Sequence, residues 1–451
     1  MPIQLTPSAA AAVRRGHPWV YREGIETPGR GRGGSAGSAD GARGAHGARG
    51  AREAREAHGA HGAHGAHGGR QDRGGGRSGG GRALERLATG DVVELAEGGD
   101  FVGRGLWDAD SPIAVRVFQR APDARLDEGA IAARLGRAFE LRDGWFADGA
   151  TTAYRLCNGE GDRVPGLVID RYGPVAVLRV EGALRPWVDR LLPGLAAALE
   201  PRGVRSFGLR APADPGGGAQ AGAEGRKLSH VHGPPIPDRI VIRESGMAME
   251  VDLARGQKTG AFLDQRDNRA RVRALAQGRA RALNLFSYAG GFSLAAALGG
   301  AGRVTSVDSA AAAHATAQRS FRENGLDPAA HEFVSADVFD FLERAAARGD
   351  RYDLVISDPP SFAPSERAKP RALAAYRRLH GAVARVLAKG GVLCAASCSS
   401  HVTPEDFLST LDDAALGRDD LRVGALHGQP ADHPYLPAWP EGRYLKFVVL
   451  A

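Results

Sequence analysis

The sequence predicts an α/β chain whose C-terminal part is a doubly wound parallel sheet, preceded by a small β-barrel and a central α+β region. Three observations carry this. From Val251 onward, short apolar strand runs alternate with helical stretches, as strand–helix–strand units require. Between Gly90 and Phe118 apolar residues instead alternate in short runs bounded by Gly, Asp and Pro, the pattern of a β-rich barrel. Residues 28–82 hold almost no Leu, Ile, Val or Phe and cannot bury enough apolar surface to fold.

A chain of 451 residues fits two or three domains, here divided as 1–120, 121–250 and 251–451. Its 43% hydrophobic content supports real cores. No run approaches the ~18 apolar residues of a membrane span, and no charged-then-apolar leader opens the chain. The three cysteines, Cys157, Cys394 and Cys398, are too few and too odd for a disulfide framework, so the cytoplasm is the expected compartment. Charge is a poor guide to partners. Ten arginines against four acidic residues in 28–82 supply +6 of the net +7.

In order, the chain opens with a short structured piece, Leu5–Val13, followed by Arg14-Arg15-Gly16-His17-Pro18-Trp19. The 28–82 insertion places His58, His61, His64 and His67 at a spacing of three, which reads as a drifted repeat in a flexible loop; no metal site is assigned to it. Barrel strands follow at 90–95, 101–107 and 113–118, then a helix at 131–147 by apolar spacing. Strands at 154–157, 167–170, 175–180 and 206–210 and a helix at 187–199 make the central region, and 211–237 reads as an exposed loop. The C-terminal strands are 282–286, 304–307, 332–334, 352–357 and 391–396, with helices such as 292–298 and 372–387 between them. Tyr444–Leu450 is expected to pair antiparallel at the sheet edge.

Ligands bind outside the carboxyl ends of strands in such sheets, so residues there carry the chemistry. The first strand–helix turn contains Asn284, Phe286, Ser287 and Gly290, and its glycines let backbone approach a ligand at a helix start. It is not a GxGxxG fingerprint. Asp308 ends the next strand, where an acid can hold a ribose diol, and Asp337 follows the third, within reach of an adenine edge. Together they point to an adenosyl-type ligand. The stretch Gly256–Arg269, with Lys258 and Gln265, reads as a loop and helix start beside that ligand, a solvated capping segment being the alternative. Asp358-Pro359-Pro360-Ser361-Phe362 and Ser397-Cys398-Ser399-Ser400 follow two strands that bring a carboxylate and a thiol to one edge. Cys394 and Cys157 read as small buried hydrophobes. Cys398 is a nucleophile only if neighbours lower its pKa, with His401 or nearby Arg and Lys as candidates.

These stretches, with Gly159-Glu160-Gly161-Asp162, Leu263-Asp264-Gln265-Arg266 and Asp432-His433-Pro434, resemble the RlmI family of S-adenosylmethionine-dependent large-subunit (23S) rRNA cytosine-C5 methyltransferases. The resemblance spans nearly the whole chain outside 28–82 and 211–237. It implies an N-terminal PUA domain, a central α+β domain and a C-terminal Rossmann-like class I methyltransferase domain. It further implies that Cys398 adds to C6 of the target cytosine, that Asp358 hydrogen-bonds the base near N3, and that Pro359, Pro360 and Phe362 wall it. Gln265, Asn284, Phe286, Ser287, Gly290, Asp308, Asp337 and Asp358 would then hold S-adenosyl-L-methionine. Arg15 and Trp19 offer a cation and a stacking ring to RNA. Enzymes of the wider class that use two cysteines carry the second three residues after the aspartate; here Ser361 stands there, so the base that removes the C5 proton is unassigned. Two rivals remain: a guanine-N7 methyltransferase, which needs no thiol, and a noncatalytic PUA-type RNA-binding protein. No membrane partner is expected, and a homodimer is compatible with the pattern.

Overall fold

The computed structural model describes residues 2–26, 84–211 and 227–451, so the whole 28–82 segment with its histidine series lies outside the described residues. Pro2–Ile25 and Ala88–Ala451 form one compact unit.

The first sheet contains β1 (Ile3–Gln4), β2 (Trp19–Tyr21), β3 (Val92–Glu97), β4 (Asp100–Trp107) and β5 (Ile113–Gln119), in the order β1-β3-β4-β5-β2. A backbone bridge between Leu5 and Ile25 ties its two edges, closing the sheet into the expected barrel. The helix Pro7–Arg15 starts where the Thr6 hydroxyl accepts the Ala9 N–H, and it buries Ala10 and Val13.

The second sheet runs β10-β9-β8-β7-β6, from β6 (Ala153–Asn158), β7 (Leu167–Tyr172), β8 (Val175–Val180), β9 (Ser206–Arg210) and β10 (Leu228–His232). The helices Glu128–Trp145 and Val188–Leu199 share an apolar core with these strands, in which Phe139, Leu195, Ile169 and Leu178 meet. Asp127 caps the first helix at the Ala130 N–H, which starts it three residues before the spacing alone suggests. The exposed loop expected over 211–237 is corrected by β10. Leu-Ser-His-Val-His is a largely exposed edge strand with too few apolar residues to show alternation.

The antiparallel hairpin of β11 (Arg239–Glu244) and β12 (Met247–Asp252) packs into a core shared with both large sheets: Ile242, Met249 and Val251 meet Tyr172 and Val177 on one side and Ala282, Phe292 and Ile356 on the other. The third sheet comprises β13 (Arg281–Leu285), β14 (Arg303–Asp308), β15 (Glu332–Ser335), β16 (Tyr352–Ser357), β17 (Leu387–Ser397), β18 (Val423–His427) and β19 (Lys446–Leu450). Its order is β15-β14-β13-β16-β17-β19-β18, parallel through β17 and antiparallel beyond. β19 therefore lies inside the sheet, not at the edge expected for it. Val423–His427, with Val423 and Leu426 exposed, is the outermost strand.

One helix governs where the C-terminal sheet's ligand rim meets the rest of the chain. Arg266–Leu275 follows a 3-10 turn at Leu263–Gln265. Arg266 forks onto Asp432, with both N–H···O distances 2.9 Å, and the same carboxylate accepts the Arg155 N–H from β6. Arg269 forks onto Glu244 of the hairpin at 2.6 Å in both bonds. Close by, Arg142 forks onto Asp162 and donates to the Asp432 carbonyl. Gly161 is needed there: a Cβ on it would fall 1.9 Å from the Pro434 carbonyl oxygen. Both members of the Arg269–Glu244 pair are buried, so removing one strands the other's charge. Arg269→Ala is expected to cost about 3–5 kcal/mol in urea unfolding. A loss below about 1 kcal/mol would show that water reaches the pair.

Candidate active site at the carboxyl rim

Register sets the site. Leu285 pairs with Ser357, and Ser357 pairs with Ala395, so Phe286, Asp358 and Cys398 emerge from three adjacent parallel strands at one rim. Asp308 ends β14 beside them.

On the β13–β14 side the backbone is sharply turned. Phe286 and Tyr288 have φ of 56° and 45°, and Gly290 has φ of 75° at the cap of the helix Gly291–Leu298. A Cβ on Gly290 would lie 2.5 Å from the Ala317 Cβ, so no other residue fits without displacement. Asp308 holds this turn, accepting the Tyr288 N–H on one oxygen and the Ala310 N–H on the other, both at 2.8 Å. Asn284 is buried; its amide donates to Ser293 Oγ (2.9 Å), while its Oδ1 and the Ser287 hydroxyl have no partner among the described residues. Asp337 is exposed and caps the helix Val338–Ala347 through the Phe339 and Asp340 N–H groups.

On the β16–β17 side, Asp358 is half-buried and accepts the Gln265 amide at 2.9 Å; Gln265 is itself oriented by Asn268 (2.7 Å). Burial, and then the nearby Asp264 carboxylate, push the Asp358 carboxyl up to about 7. Burial likewise pushes the half-buried Cys398 thiol up to about 11, with the Asp358 charge adding to the effect. His401 does not supply the activation expected of it: it faces Glu366 at 3.6 Å, and the cations acting on the thiol are Lys258 and Lys446. Pro359 is buried and Pro360 exposed, and Phe362 packs on Tyr376 with ring centroids 4.8 Å apart.

Several residues here escaped sequence reasoning. The Tyr376 hydroxyl donates to Ser397 Oγ (2.9 Å) and meets Ser399 Oγ (3.1 Å), which in turn meets Ser361 Oγ (3.1 Å). This hydroxyl cluster clasps the Asp358 turn to the Cys398 turn. The Gly256–Arg269 stretch is not a solvated cap: Thr259, Asp264, Gln265, Arg266, Asn268 and Arg269 are all buried. Burial opposes charge on Asp264, yet Lys258 (2.6 Å), with Tyr444 donating at 2.8 Å, holds its carboxyl well below the usual range. Thr259 donates to Asp170 (2.6 Å), which Arg155 grips from the other side, so the loop is moored to β7. The density of polar residues among the glycines was the available signal.

Arg15 and Trp19 are not gathered to this rim. Arg15 is exposed. The Trp19 indole donates to Glu160 (2.8 Å) and meets Trp439 edge to face at 5.2 Å, so its ring is committed to a junction within the protein.

Comparison with known proteins fits this geometry. A profile described as S-adenosylmethionine-dependent methyltransferase matches residues 228–435, and one described as PUA-like domain matches 3–38. A ribosomal RNA large subunit methyltransferase of Deinococcus radiodurans is 41% identical over 81% of this chain and 90% of its own length. Ribosomal RNA large subunit methyltransferase I of Aeromonas salmonicida is 35% identical over 82% and 93%. The chain belongs to the ribosomal RNA large subunit methyltransferase I family. Among solved structures, a methyltransferase complexed with SAH superposes with a TM-score of 0.71 at 25% identity, over 82% of this chain and 93% of that one. A Streptococcus mutans protein aligns over the full length at 21% identity with a TM-score of 0.74, which supports the fold.

As a member of this family the methyltransferase takes S-adenosylmethionine as cofactor. The rim fits such a ligand: two unpaired buried polar atoms, a helix N-terminus and an aspartate surround one strand–turn–helix. No helix among the described residues is long and apolar enough to cross a membrane.

Asp358 makes the stability of the methyltransferase depend on pH. Its carboxyl is raised from 3.8 to about 7 by folding, so the contribution it makes below pH ~4 is lost as pH rises toward 7. Asp358→Asn should therefore gain stability relative to the wild type between pH 4 and pH 8 in urea unfolding. A constant difference across that range would place the carboxylate in water.

Proposed function

We propose that this methyltransferase modifies C5 of a cytosine in large-subunit (23S) rRNA through a covalent bond between Cys398 and C6 of the base. The observation that carries the reading is the delivery of one carboxyl and one thiol, by adjacent parallel strands, to the rim beside the cofactor turn. The relatives' names supply the RNA class. A guanine-N7 enzyme would have no use for a thiol at that position.

In this reading Asn284, Phe286, Ser287, Gly290, Asp308 and Asp337 hold the adenosyl portion, and Gln265 and Asp358 face the reacting end. When bound, S-adenosylmethionine supplies an electrophilic methyl group for C5. The chain's own residues make C5 a nucleophile. Near neutral pH the Cys398 thiol is protonated and needs a base, and Asp358, pushed up to about 7, is suited to the task. Its carboxylate takes the thiol proton and passes it to N3 as sulfur bonds to C6, leaving the enamine's electron density at C5. Loss of the C5 proton, elimination of the thiolate and return of the N3 proton through Asp358 to sulfur restore the aromatic base and the thiol. Splitting one hard step in two is the general benefit of covalent catalysis. Pro359, Pro360 and Phe362 wall the base, which has to leave its stack to reach the thiol. Arg15 contributes a cation to RNA binding, while Trp19 shapes the surface it stands on. The domain division at 120 and 250 and a cytoplasmic location belong to the same proposal.

The test compares wild type and Cys398→Ala with tritiated-methyl S-adenosylmethionine and rRNA from cells lacking the enzyme, followed by nucleoside digestion. Label in 5-methylcytidine that disappears in the variant, by more than about 10³-fold, is expected for loss of a nucleophile. Label in 7-methylguanosine, or equal label from the variant, would overturn the covalent cytosine mechanism.

A further inference from the structure

Lys446 is a buried cation that the mechanism above leaves without a role. It opens β19 opposite Ser397 of β17, and only 1% of its surface is exposed. Its ammonium donates to the Ser399 carbonyl at 2.6 Å and to the Tyr444 carbonyl at 2.9 Å. Among the described residues it makes no ion pair, and these two carbonyls occupy two of its three N–H groups. Burying an ammonium without a counter-charge is costly, so such a group either gains an anion or gives up its proton more readily. The carboxylates near it or near the thiol are engaged elsewhere. Asp406 pairs with Lys369 at 2.5 Å, Asp264 with Lys258, and Asp358 with Gln265. The group within its field that becomes anionic during the reaction is Cys398, which sits between the two residues Lys446 holds in place, Ser397 by register and Ser399 by its carbonyl.

We propose that Lys446 is the counter-charge of the Cys398 thiolate: it fixes the Ser397–Ser399 turn through the Ser399 carbonyl and turns its remaining N–H toward Sγ when the thiol ionises. Near neutral pH the ammonium keeps its protons during the step, and the thiol proton leaves to Asp358. Lys446 is thus a positioning residue acting through the cysteine, and the proposal rests on the covalent mechanism stated above. The other groups facing the thiol are Asp358 from β16, Lys258 and Asp264 from the loop before the helix Arg266–Leu275, Tyr376 from the helix Lys369–Ala384, and Tyr444 beside β19. Of these, Lys258 is already neutralised by Asp264, which leaves Lys446 as the cation with charge to spare. Burial pushes its own pKa down to about 8, and an adjacent thiolate opposes that shift.

The experiment reads thiolate formation without any methyl transfer. Full-length wild type, Lys446→Met and Lys446→Gln are alkylated with iodoacetamide from pH 7 to pH 10, and the Cys398 peptide is quantified by mass spectrometry. The expected result is a Cys398 rate at least ten-fold lower in Lys446→Met and a rate–pH curve displaced to higher pH. Lys446→Gln, which can still bond the carbonyls, should show the same displacement, because charge and not packing is what it lacks. A melting temperature and S-adenosylhomocysteine affinity near wild type mark the variants as folded. An unchanged curve in either folded variant overturns the proposal. Should neither fold, Lys446→Arg takes their place: it keeps the charge and can still bond the carbonyls, so its Cys398 rate–pH curve should stay within about two-fold of wild type, and a curve displaced to higher pH overturns the proposal. Normal alkylation behaviour combined with no 5-methylcytidine would sink the cytosine reading instead, so the two failures are distinguishable.

Discussion

The helix Arg266–Leu275 and the buried ion pairs that hold it are the constraint on which the site depends. Arg266 grips Asp432 from the stretch after β18, Arg269 grips Glu244 of the hairpin, and Thr259 just upstream is tied to Asp170 and so to Arg155. Each arginine–carboxylate pair among these is a bidentate fork, the geometry in which a guanidinium best offsets the cost of its own burial. The result is positional: Gln265, at the start of this helix, is brought to Asp358, and Lys258 to Asp264. Apolar packing could hold the same elements together, but it would not specify where an amide ends up to within a hydrogen bond.

The rim can be followed strand by strand. β14 and β13 present the polar turn that fits an adenosyl group; β16 and β17 present the carboxyl and the thiol; β19, running antiparallel, presents Lys446 at the same edge. A reversed strand delivers the residue at its start, not its end, to that rim. Inserting β19 between β17 and β18 thus adds a cation beside a thiol that the parallel strands alone leave in an anionic neighbourhood of Asp358 and Asp264. The hydroxyl cluster of Tyr376, Ser397, Ser399 and Ser361 joins the Asp358 turn to the Cys398 turn, so that strand register becomes a fixed distance between side chains.

Much of this was legible in the sequence because burial in a parallel sheet leaves continuous apolar runs such as YDLVIS, and their ends mark the rim. Asp358, Cys398, Gly290 and Asp308 were found that way. β10 and β18 were not, because Leu-Ser-His-Val-His and Val-Gly-Ala-Leu-His are exposed edge strands held by backbone bonds, which leave no apolar signature. Asp264, Tyr444 and Tyr376 were missed for a different reason. Their partners lie from 6 to 180 residues away, and nothing local distinguishes a buried, paired polar group from a solvated one.

The order of strands and helices, the rim residues that follow each strand and the family resemblance were set by local pattern alone, since apolar periodicity and turn chemistry act over a few residues. The charge state of the site was decided only by tertiary structure. Whether Asp358 is an ordinary carboxylate or one pushed up to about 7, and whether Cys398 faces His401 or Lys446, depends on desolvation and on charges carried by other strands. Those are properties of the space enclosed between distant segments, and they exist only once the segments have packed.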